Sequence, residues 1–310
     1  MKHISFVATA ILILTIPCIA QKPPKIVGLL AVRNEQNYIA QCLRTLCLYT
    51  DAIVILDDAS DDNTVAIIKS LAKQCNVAKI ITKKTWLRDE PGDAKALLAA
   101  GRALGGTHFI HLDADEMFTA NCLEGNFLRS RILELKPGDR LRMNWIQLWR
   151  SVDYYRFDSS IWTWNYKDFI FCDDGICGYL SGFIHTPRTP NTLQGTTYTM
   201  EGYTYGVLHF QFVNWRNLLI KQAWYRCLEL IHKPTKSTVS INKSYAASKD
   251  ETDLAVNPCP AAWFAGYTFF DPLIYQKSEQ WREKQVLYWF AKYGKNYFEK
   301  LDIWDIDWGR

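Results

Sequence analysis

The sequence lacks several patterns that identify common protein classes. It has no glycine-rich loop of the dinucleotide-binding or Walker type, no CxxC pair, no cysteine–histidine metal spacing and no internal repeat. The net charge is only +4 over 310 residues, from 36 basic and 32 acidic side chains, which argues against a nucleic-acid-binding protein. With 48% hydrophobic and 22% charged residues, the composition is that of an ordinary globular protein. Composition therefore excludes several classes and selects no function.

A long apolar run is present near the N-terminus. Residues 4–20 are almost entirely apolar, follow Lys2, and precede Pro23 and Pro24. A basic start followed by an apolar stretch is typical of a secretory signal peptide. The run is slightly shorter than the about 20 residues that a membrane-spanning helix needs, yet an uncleaved signal anchor stays open. The prolines oppose a third interpretation, a buried first helix. We expect residues 1–24 to be a signal peptide or signal anchor, and the protein to be secretory or membrane-associated, on a side that the sequence does not fix.

Strands and helices alternate in the first part of the chain. The predicted strands are nearly continuous apolar runs, as expected for strands covered on both faces, and the predicted helices repeat apolar residues at helical spacing. The strands are predicted over 25–32, 52–56, 77–81 and 107–112, and the helices over 36–49, 61–73 and 93–104. Alternation with short connections predicts an α/β, Rossmann-like, doubly wound and mostly parallel sheet.

The pattern loosens after Glu116, and we expect an irregular mixed α+β second half. Strands are predicted over 140–148, 168–171 and 207–212, a helix over 215–231, a loop over 234–260 and an aromatic, basic helix over 278–297.

Acidic residues follow three of the predicted strands. Glu35 comes after the first strand, Asp57 and Asp58 after the second, and Asp113 and Asp115 after the fourth. Ligands of such sheets bind beyond the carboxyl ends of the strands. Two carboxylates in a D-x-D arrangement suit Mg²⁺ or Mn²⁺ with open positions for phosphate oxygens. A lone D-x-D is frequent in solvated loops, so the surrounding motifs decide its meaning.

Three segments together resemble motifs of the family 2 glycosyltransferases, which have the GT-A fold. They are Arg33-Asn34-Glu35 with the following Ile39 and Cys42-Leu43, the run I-V-I-L-D-D-A-S-D-D-N-T over 53–64, and Leu112-Asp113-Ala114-Asp115-Glu116. The L-D-A-D-E form resembles a branch related to lipopolysaccharide-core glycosyltransferases. The resemblance covers 25–116 and implies a metal-dependent, inverting, hexosyltransferase-like enzyme that uses a nucleotide-diphosphate sugar.

The resemblance also implies roles for individual residues. Asp58 would hydrogen-bond the nucleotide base, Asp113 would approach the ribose and the metal, and Asp115 would ligate the metal. The implied nucleotide-sugar-binding residues are Val32, Asn34, Glu35, Asp57, Asp58, Lys95 and Asp113. The implied metal ligands for Mg²⁺ or Mn²⁺ are Asp113, Asp115 and His209. Simpler interpretations stay open for Asp58, as a helix-capping carboxylate, and for Lys95, as a solvated helix lysine.

A later segment resembles the same branch. Leu208-His209-Phe210, Lys221 and Trp224-Tyr225 are similar to its H-[YF]…K…Y segment. A histidine at a strand end near a diphosphate would complete the metal shell or stabilise the leaving group, although a structural role for His209 is an equal alternative. Lys221 and Tyr225 are four residues apart and share one helix face.

The general base is less well defined by the sequence. An inverting transfer needs a carboxylate or histidine to remove a proton from the acceptor hydroxyl. Residues 183–185 (F-I-H) resemble the branch's V-H-E segment, but Thr186 stands where the glutamate would be. Candidates by position are Asp173, Asp174, His185 and Glu201. Of these we expect Asp174 or His185.

The resemblance implies a GT-A domain over 25–232, with a nucleotide-binding half over 25–116 and an acceptor half over 117–232, followed by a C-terminal extension over 233–310. The expected partners are a nucleotide-diphosphate sugar, with a UDP-sugar favoured, and a glycan or lipid-linked acceptor, but no nucleic acid. The N-terminal segment would supply membrane association. Aromatic residues concentrate after Glu116, where Trp162 or Trp164 would stack on acceptor sugars.

Two other functions compete with this interpretation. An exported carbohydrate-binding or surface-interaction protein on a catalytically decayed GT-A scaffold would explain the signal-like N-terminus and the missing glutamate. A sugar nucleotidyltransferase would need a glycine-rich loop after the first strand, where this chain has V-R-N-E over 32–35.

Overall fold

The computed structural model describes residues 23–180 and 186–309. The predicted signal segment therefore lies almost entirely outside the described residues, and so does His185. Among the described residues, no helix has both the length and the apolar character that crossing a membrane requires.

The described residues form eleven strands and seven helices, in addition to short 3₁₀ turns. The strands are β1 (Ile26–Val32), β2 (Ala52–Asp57), β3 (Val77–Thr82), β4 (His108–His111), β5 (Glu116–Phe118), β6 (Arg140–Gln147), β7 (Tyr154–Arg156), β8 (Tyr166–Cys172), β9 (Thr197–Met200), β10 (Gly206–His209) and β11 (Val256–Pro258). The helices are α1 (Ile39–Leu46), α2 (Thr64–Leu71), α3 (Glu90–Ala103), α4 (Phe127–Leu133), α5 (Trp215–His232), α6 (Thr238–Ala246) and α7 (Trp281–Tyr293).

One large sheet organises the described part of the chain. Its nine strands follow the order β3-β2-β1-β4-β8-β6-β10-β5, with β9 added beside β6. Strands β1 to β4 run parallel to one another, and β10 and β9 are parallel to β6. Strands β8 and β5 are antiparallel to their neighbours. The prediction of an α/β, mostly parallel sheet is confirmed.

Helices cover both faces of the parallel half. Successive side chains of a strand point to opposite faces, and in β2 Ile53 and Ile55 pack in the hydrophobic cluster that contains α1 and α2. Val54 and Leu56 pack in the cluster that contains α3. Because both faces are buried, β2 is apolar at every position before Asp57. This arrangement confirms the doubly wound topology.

The predicted loop over 234–260 is wrong in part, because it contains α6 and β11. The hydroxyl of Ser237 caps α6 by accepting a hydrogen bond from the amide of Ser240 over 3.2 Å. Only Ile241 and Tyr245 of this helix are buried, so its sequence shows too few apolar positions for a helical period. The predicted helix over 278–297 is shorter in the structure, where α7 ends at Tyr293 and is followed by Gly294 with a φ of 82°.

Candidate functional site

The carboxyl ends of β1, β2 and β4 open into a cavity of about 730 Å³. Parallel strands bring their carboxyl ends to one edge of a sheet, which is why the predicted acidic residues meet there. The cavity is lined from the strand ends by Val32, Glu35, Asp58, Asp113 and Asp115, and from later elements by His209, Lys221, Trp224, Tyr225, Trp281 and Arg282.

Asn34 and Asp57 brace the loops behind the cavity. Both are buried and neither side chain is part of the cavity wall. Asn34 has a φ of 55°, a left-handed conformation that asparagine tolerates, and its Oδ1 accepts a hydrogen bond from the amide of Asp61 over 2.9 Å. The amide of Asn34 donates to Ser60 Oγ over 2.9 Å, and Asp57 Oδ1 accepts from the amide of Ser60 over 3.2 Å. These bonds hold the β1 and β2 loops together.

Asp58 lies in the cavity wall and is paired with Lys83. The Lys83 Nζ lies 2.9 Å from Asp58 Oδ1 and 2.7 Å from Asp93 Oδ1, and the Val32 carbonyl accepts a hydrogen bond from the Asp58 amide over 2.9 Å. Burial raises the pKa of Asp93 to about 6, although Lys83 opposes the shift. Lys95 is exposed and lies outside the cavity wall. The structure therefore brings Lys83, rather than the predicted Lys95, to this acidic group.

Arg33 presents a flat surface beside Asp58. Its Nη1 donates to the carbonyl oxygens of Asp58 and Ala59 over 2.6 Å and 2.5 Å. The guanidinium carbon lies 5.1 Å from the ring centroid of Trp86 and 5.6 Å from that of Trp281. A guanidinium beside indole rings offers a stacking surface for another flat, aromatic group.

Asp115 is partly buried next to two basic side chains. Its Oδ2 lies 3.5 Å from His209 Nε2 and 3.4 Å from Lys221 Nζ. Burial acts to raise the pKa of Asp115, but Lys221 and His209 outweigh it and hold the pKa below its usual value. Burial lowers the pKa of His209, against the opposing effect of Asp115. Burial thus favours the neutral form of the imidazole, and Lys221 favours the ionised form of Asp115.

The hydrogen bonds of Gln147 orient His209. The amide nitrogen of Gln147 donates to the carbonyl of Trp145 over 2.8 Å, so its Oε1 accepts from His209 Nδ1 over 2.7 Å. The proton on Nδ1 leaves the lone pair of the neutral imidazole on Nε2, which faces Asp115. A lone pair opposite a carboxylate oxygen favours a cation between them, and an imidazole oriented in this way is typical of metal ligands.

Asp113 lies in the cavity wall but is paired with an arginine. Its Oδ2 accepts a hydrogen bond from Arg188 Nη2 over 2.6 Å. The same nitrogen donates to Glu116, which is fully buried and also accepts from the Trp145 Nε1 over 2.7 Å. The Glu116 Oε2 accepts from the Asp113 amide over 2.8 Å. Glu116 thus fixes the shape of the D-x-D turn from behind.

The predicted metal ligands are only partly assembled. Asp115 and His209 suit a divalent cation by their distance, charge and orientation. The ligand atoms of Asp113, Asp115 and His209 do not form one group within 4.8 Å of each other among the described residues, because Asp113 is turned toward Arg188. Two of the three residues therefore fit the metal as they stand.

Glu35 lines the cavity beside a cationic side chain. Burial and the nearby Glu279 raise the pKa of Glu35, while Arg282 opposes the shift. The Arg282 Nη2 lies 3.8 Å from Glu35 Oε1, and its Nη1 pairs with Glu279. Arg282 joins Lys221 as a second cation on the helical side of the cavity.

The structure does not bring Asp174 to the cavity, which corrects the prediction for this residue. Strand β8 is antiparallel to β4, with Cys172 opposite His108, so the carboxyl end of β8 lies at the edge of the sheet opposite Asp113. The Asp174 Oδ1 accepts hydrogen bonds from the amides of Ile176 and Cys177 over 3.0 Å and 2.6 Å. The other predicted base, His185, lies outside the described residues.

The remaining predicted residues divide between the cavity and the surface. Trp162 lines the cavity, and its Nε1 donates to the carbonyl of Ala247 over 2.8 Å. Trp164 is 51% exposed and packs its ring on Tyr203 instead. Glu201 is also exposed. Only Trp162 of the two tryptophans is therefore placed to contact a ligand in the cavity.

Comparison with known families finds a match in the first part of the chain. Residues 29–126 match the model described as glycosyl transferase family 2. Over this segment the chain is similar to that family. The segment contains the strand ends that carry Asp58, Asp113 and Asp115, and with the mostly parallel sheet it agrees with the predicted GT-A fold.

Solved structures of low sequence identity are similar to this chain. The structure of S. aureus TarS 1–349 in complex with UDP has 13% identity and a TM-score of 0.40, covering 73% of this chain and 71% of that one. The mannosyltransferase PcManGT from Pyrobaculum calidifontis, in complex with GDP-Man and Mn²⁺, has 12% identity and a TM-score of 0.37, covering 90% of this chain and 84% of that one. A further structure of S. aureus TarS has 18% identity and a TM-score of 0.32, and the match spans 40% of this chain and 22% of that one.

Proposed function

We propose that this protein is a metal-dependent glycosyltransferase that moves a sugar from a nucleoside-diphosphate sugar to a glycan or lipid-linked acceptor, with inversion at the anomeric carbon. One observation carries the proposal. Asp58, Asp113 and Asp115 line a single cavity at the carboxyl ends of parallel strands, within the segment that matches the glycosyl transferase family 2 model.

The base of the donor would bind at the β2 end of the cavity. Asp58 offers a carboxylate to the N–H groups of a base, and Lys83 fixes that carboxylate through a 2.9 Å contact. Arg33 and Trp86 offer the flat surface on which the base would stack. This end of the cavity supports a nucleotide, because it combines a hydrogen-bonding edge with a stacking face.

The diphosphate would lie toward the β4 end, where the charged side chains are concentrated. Asp115 and His209 would hold Mg²⁺ or Mn²⁺, which when bound neutralises negative charge on a departing diphosphate. Lys221 lies 3.4 Å from Asp115, and Arg282 lies on the same side of the cavity. These two cations would stabilise the charge that develops on the leaving group. Trp162 would face the acceptor.

Calorimetric titration of the full chain with UDP, GDP and ADP, in Mn²⁺ and in EDTA, tests the proposal. We expect one nucleoside diphosphate to bind, and Mn²⁺ to strengthen its binding. Asp115→Asn should weaken binding in Mn²⁺ by at least about tenfold, since it removes a metal ligand. Asp174→Asn is the matched control, because this carboxylate lies at the opposite edge of the sheet, and it should leave the affinity unchanged.

Two results would contradict the proposal. The first is the absence of binding by every nucleotide in both conditions, above all if the chain instead bound free glycans, which would favour the carbohydrate-binding alternative. The second is an Asp115→Asn variant that keeps the full gain in affinity from Mn²⁺. Inversion would be tested separately by the anomeric configuration of the product, measured by nuclear magnetic resonance.

A further inference from the structure

Arg188 is a buried cation held at the first carboxylate of the D-x-D motif. Its side chain is 15% exposed, and its Nη2 donates to Asp113 Oδ2 over 2.6 Å and to Glu116 Oε1. The guanidinium carbon lies 5.2 Å and 5.1 Å from the ring centroids of Trp145 and Phe169. Two carboxylates and two rings therefore fix the position of this guanidinium.

The contacts of Arg188 use one of its three side-chain nitrogens. Its Nε is buried and has no hydrogen-bond partner, and no hydrogen bond joins Nη1 to the residues that the structure describes. A guanidinium carries five N–H donors, so three of them are left over in a side chain that lines the cavity. The Nη1 donors, unlike Nε, are not among the buried unpartnered atoms, so a ligand in the cavity that supplies acceptor oxygens could accept hydrogen bonds from Nη1.

The charges around the motif point to an anionic ligand. Asp113 is paired with Arg188 and Asp115 with Lys221, so each carboxylate of the D-x-D motif already faces a cation of the chain. Arginine suits phosphate oxygens because its guanidinium keeps a positive charge and donates charge-assisted hydrogen bonds.

We propose that Arg188 binds the diphosphate of the nucleotide through Nη1. Asp113 and Glu116 position the guanidinium, and the arginine gives the site a share of diphosphate affinity that requires no divalent cation. This inference rests on the proposed function and deepens it, since it names a residue, in addition to Lys221 and Arg282, that favours a nucleoside diphosphate over a monophosphate in the absence of metal.

Calorimetry in EDTA tests the inference on the full chain, with UDP compared with UMP and GDP compared with GMP. We expect the wild-type protein to bind the diphosphate of one pair more tightly than the monophosphate by about tenfold or more, the effect of one charge-assisted hydrogen bond. Arg188→Gln should lower that ratio by about tenfold while leaving the affinity for the monophosphate unchanged. Arg188→Lys, which keeps the charge but lacks the fork, should restore part of the ratio.

Two further variants separate binding from folding. Arg188→Gln leaves the buried Glu116 without its cation, so the double variant Arg188→Gln, Glu116→Gln tests the same loss with a neutral interior. Arg142→Gln is the matched control, because Arg142 also lines the cavity but already donates from Nε and Nη2 to Asp168 over 2.6 Å and 3.2 Å. It should leave the ratio as in the wild-type protein.

The outcomes distinguish this inference from the proposed function. A wild-type protein that binds a nucleoside diphosphate in Mn²⁺ but does not prefer it over the monophosphate in EDTA would overturn the inference alone. The inference would also be overturned if the double variant kept the wild-type ratio of diphosphate to monophosphate affinity. It would be overturned as well if Arg142→Gln lowered that ratio as much as Arg188→Gln does. A chain that binds no nucleotide in either condition would overturn both.

Discussion

The indole Nε1 of Trp145 donates a 2.7 Å hydrogen bond to the buried carboxylate of Glu116. The same indole stacks on His209 at 4.2 Å between ring centroids. Trp145 thus connects Glu116, the last residue of the L-D-A-D-E motif, to His209. This histidine lies 93 positions after Glu116, at the end of β10, and beside Asp115. Because Glu116 is fully buried, we infer that it shapes the site from behind rather than contacting a substrate.

Replacing Trp145 with phenylalanine should lower stability while keeping a ring against His209. Trp145→Phe leaves the buried Glu116 carboxylate without one donor, which should lower the free energy of unfolding by about 1–3 kcal/mol. Denaturant unfolding measures this change. Trp164→Phe is the control, because Trp164 is 51% exposed and its replacement should change stability by less than about 0.5 kcal/mol. Equal stability of Trp145→Phe and wild type would contradict the structural role given to this bond.

Lys83 and Lys95 give opposite predictions for nucleotide binding. Lys83 bridges Asp58 and Asp93 at 2.9 Å and 2.7 Å, so Lys83→Met removes the cation that holds the Asp58 carboxylate in the proposed base-binding site. We expect the dissociation constant for UDP to rise by about tenfold, equivalent to about 1.4 kcal/mol. Lys95→Met removes an exposed lysine outside the cavity wall and should change it by less than about twofold. A larger effect at Lys95 would favour the interpretation drawn from the sequence.

Asp93 should make the stability of the protein fall as the pH rises. Its pKa is raised by burial from 3.8 to about 6, so the folded state keeps a proton that the unfolded state has already lost. This contribution to stability is complete below about pH 4 and is lost as the pH rises through about 6. Asp93→Asn does not titrate, and its stability relative to wild type should therefore increase between pH 4 and pH 7.

Denaturant unfolding at several pH values checks that prediction. Glu134→Gln is a suitable control, since Glu134 is 62% exposed on its side chain and pairs only with Arg131 in the described part of the chain. Its stability relative to wild type should change little over the same range. The prediction would fail if the difference in free energy of unfolding between Asp93→Asn and wild type stayed constant, or changed in the opposite direction. Asp93 would then be ionised in the folded protein from pH 4 to pH 7.

The parallel half of the fold could be predicted from the sequence because its strands are apolar at nearly every position. Strand β2 is buried over its whole length, and the positions of Asp58 and Asp113 then follow from the rule that parallel strands end at one edge. The same rule does not bring Asp174 to this edge. Strand β8, which precedes Asp174, is antiparallel to β4, so its carboxyl end lies at the opposite edge of the sheet.

The contacts that complete the site could not be predicted, because they join residues far apart in the chain. Arg188 meets Asp113 across 75 positions and Lys83 meets Asp58 across 25, and no local pattern marks either basic residue. Strands of three or four residues, such as β5 and β9, are also too short for a recognisable alternation. These features follow from tertiary packing and not from local sequence.

Two buried arginines should respond oppositely to replacement by methionine. The guanidinium of Arg226 is fully buried, and its Nε and Nη2 have no hydrogen-bond partner among the described residues. The Asp302 carboxylate with which it pairs lies 3.6 Å away, and the side chain of Asp302 is 52% exposed. Arg226→Met therefore leaves no buried charge and should be neutral or stabilising by about 1 kcal/mol. Arg156 and Asp158 form a 2.6 Å pair in which both side chains are 3% exposed, so Arg156→Met should cost about 3–5 kcal/mol. Denaturant unfolding of both variants measures the difference, and a similar loss at both sites would mean that burial of the partner carboxylate does not decide the cost.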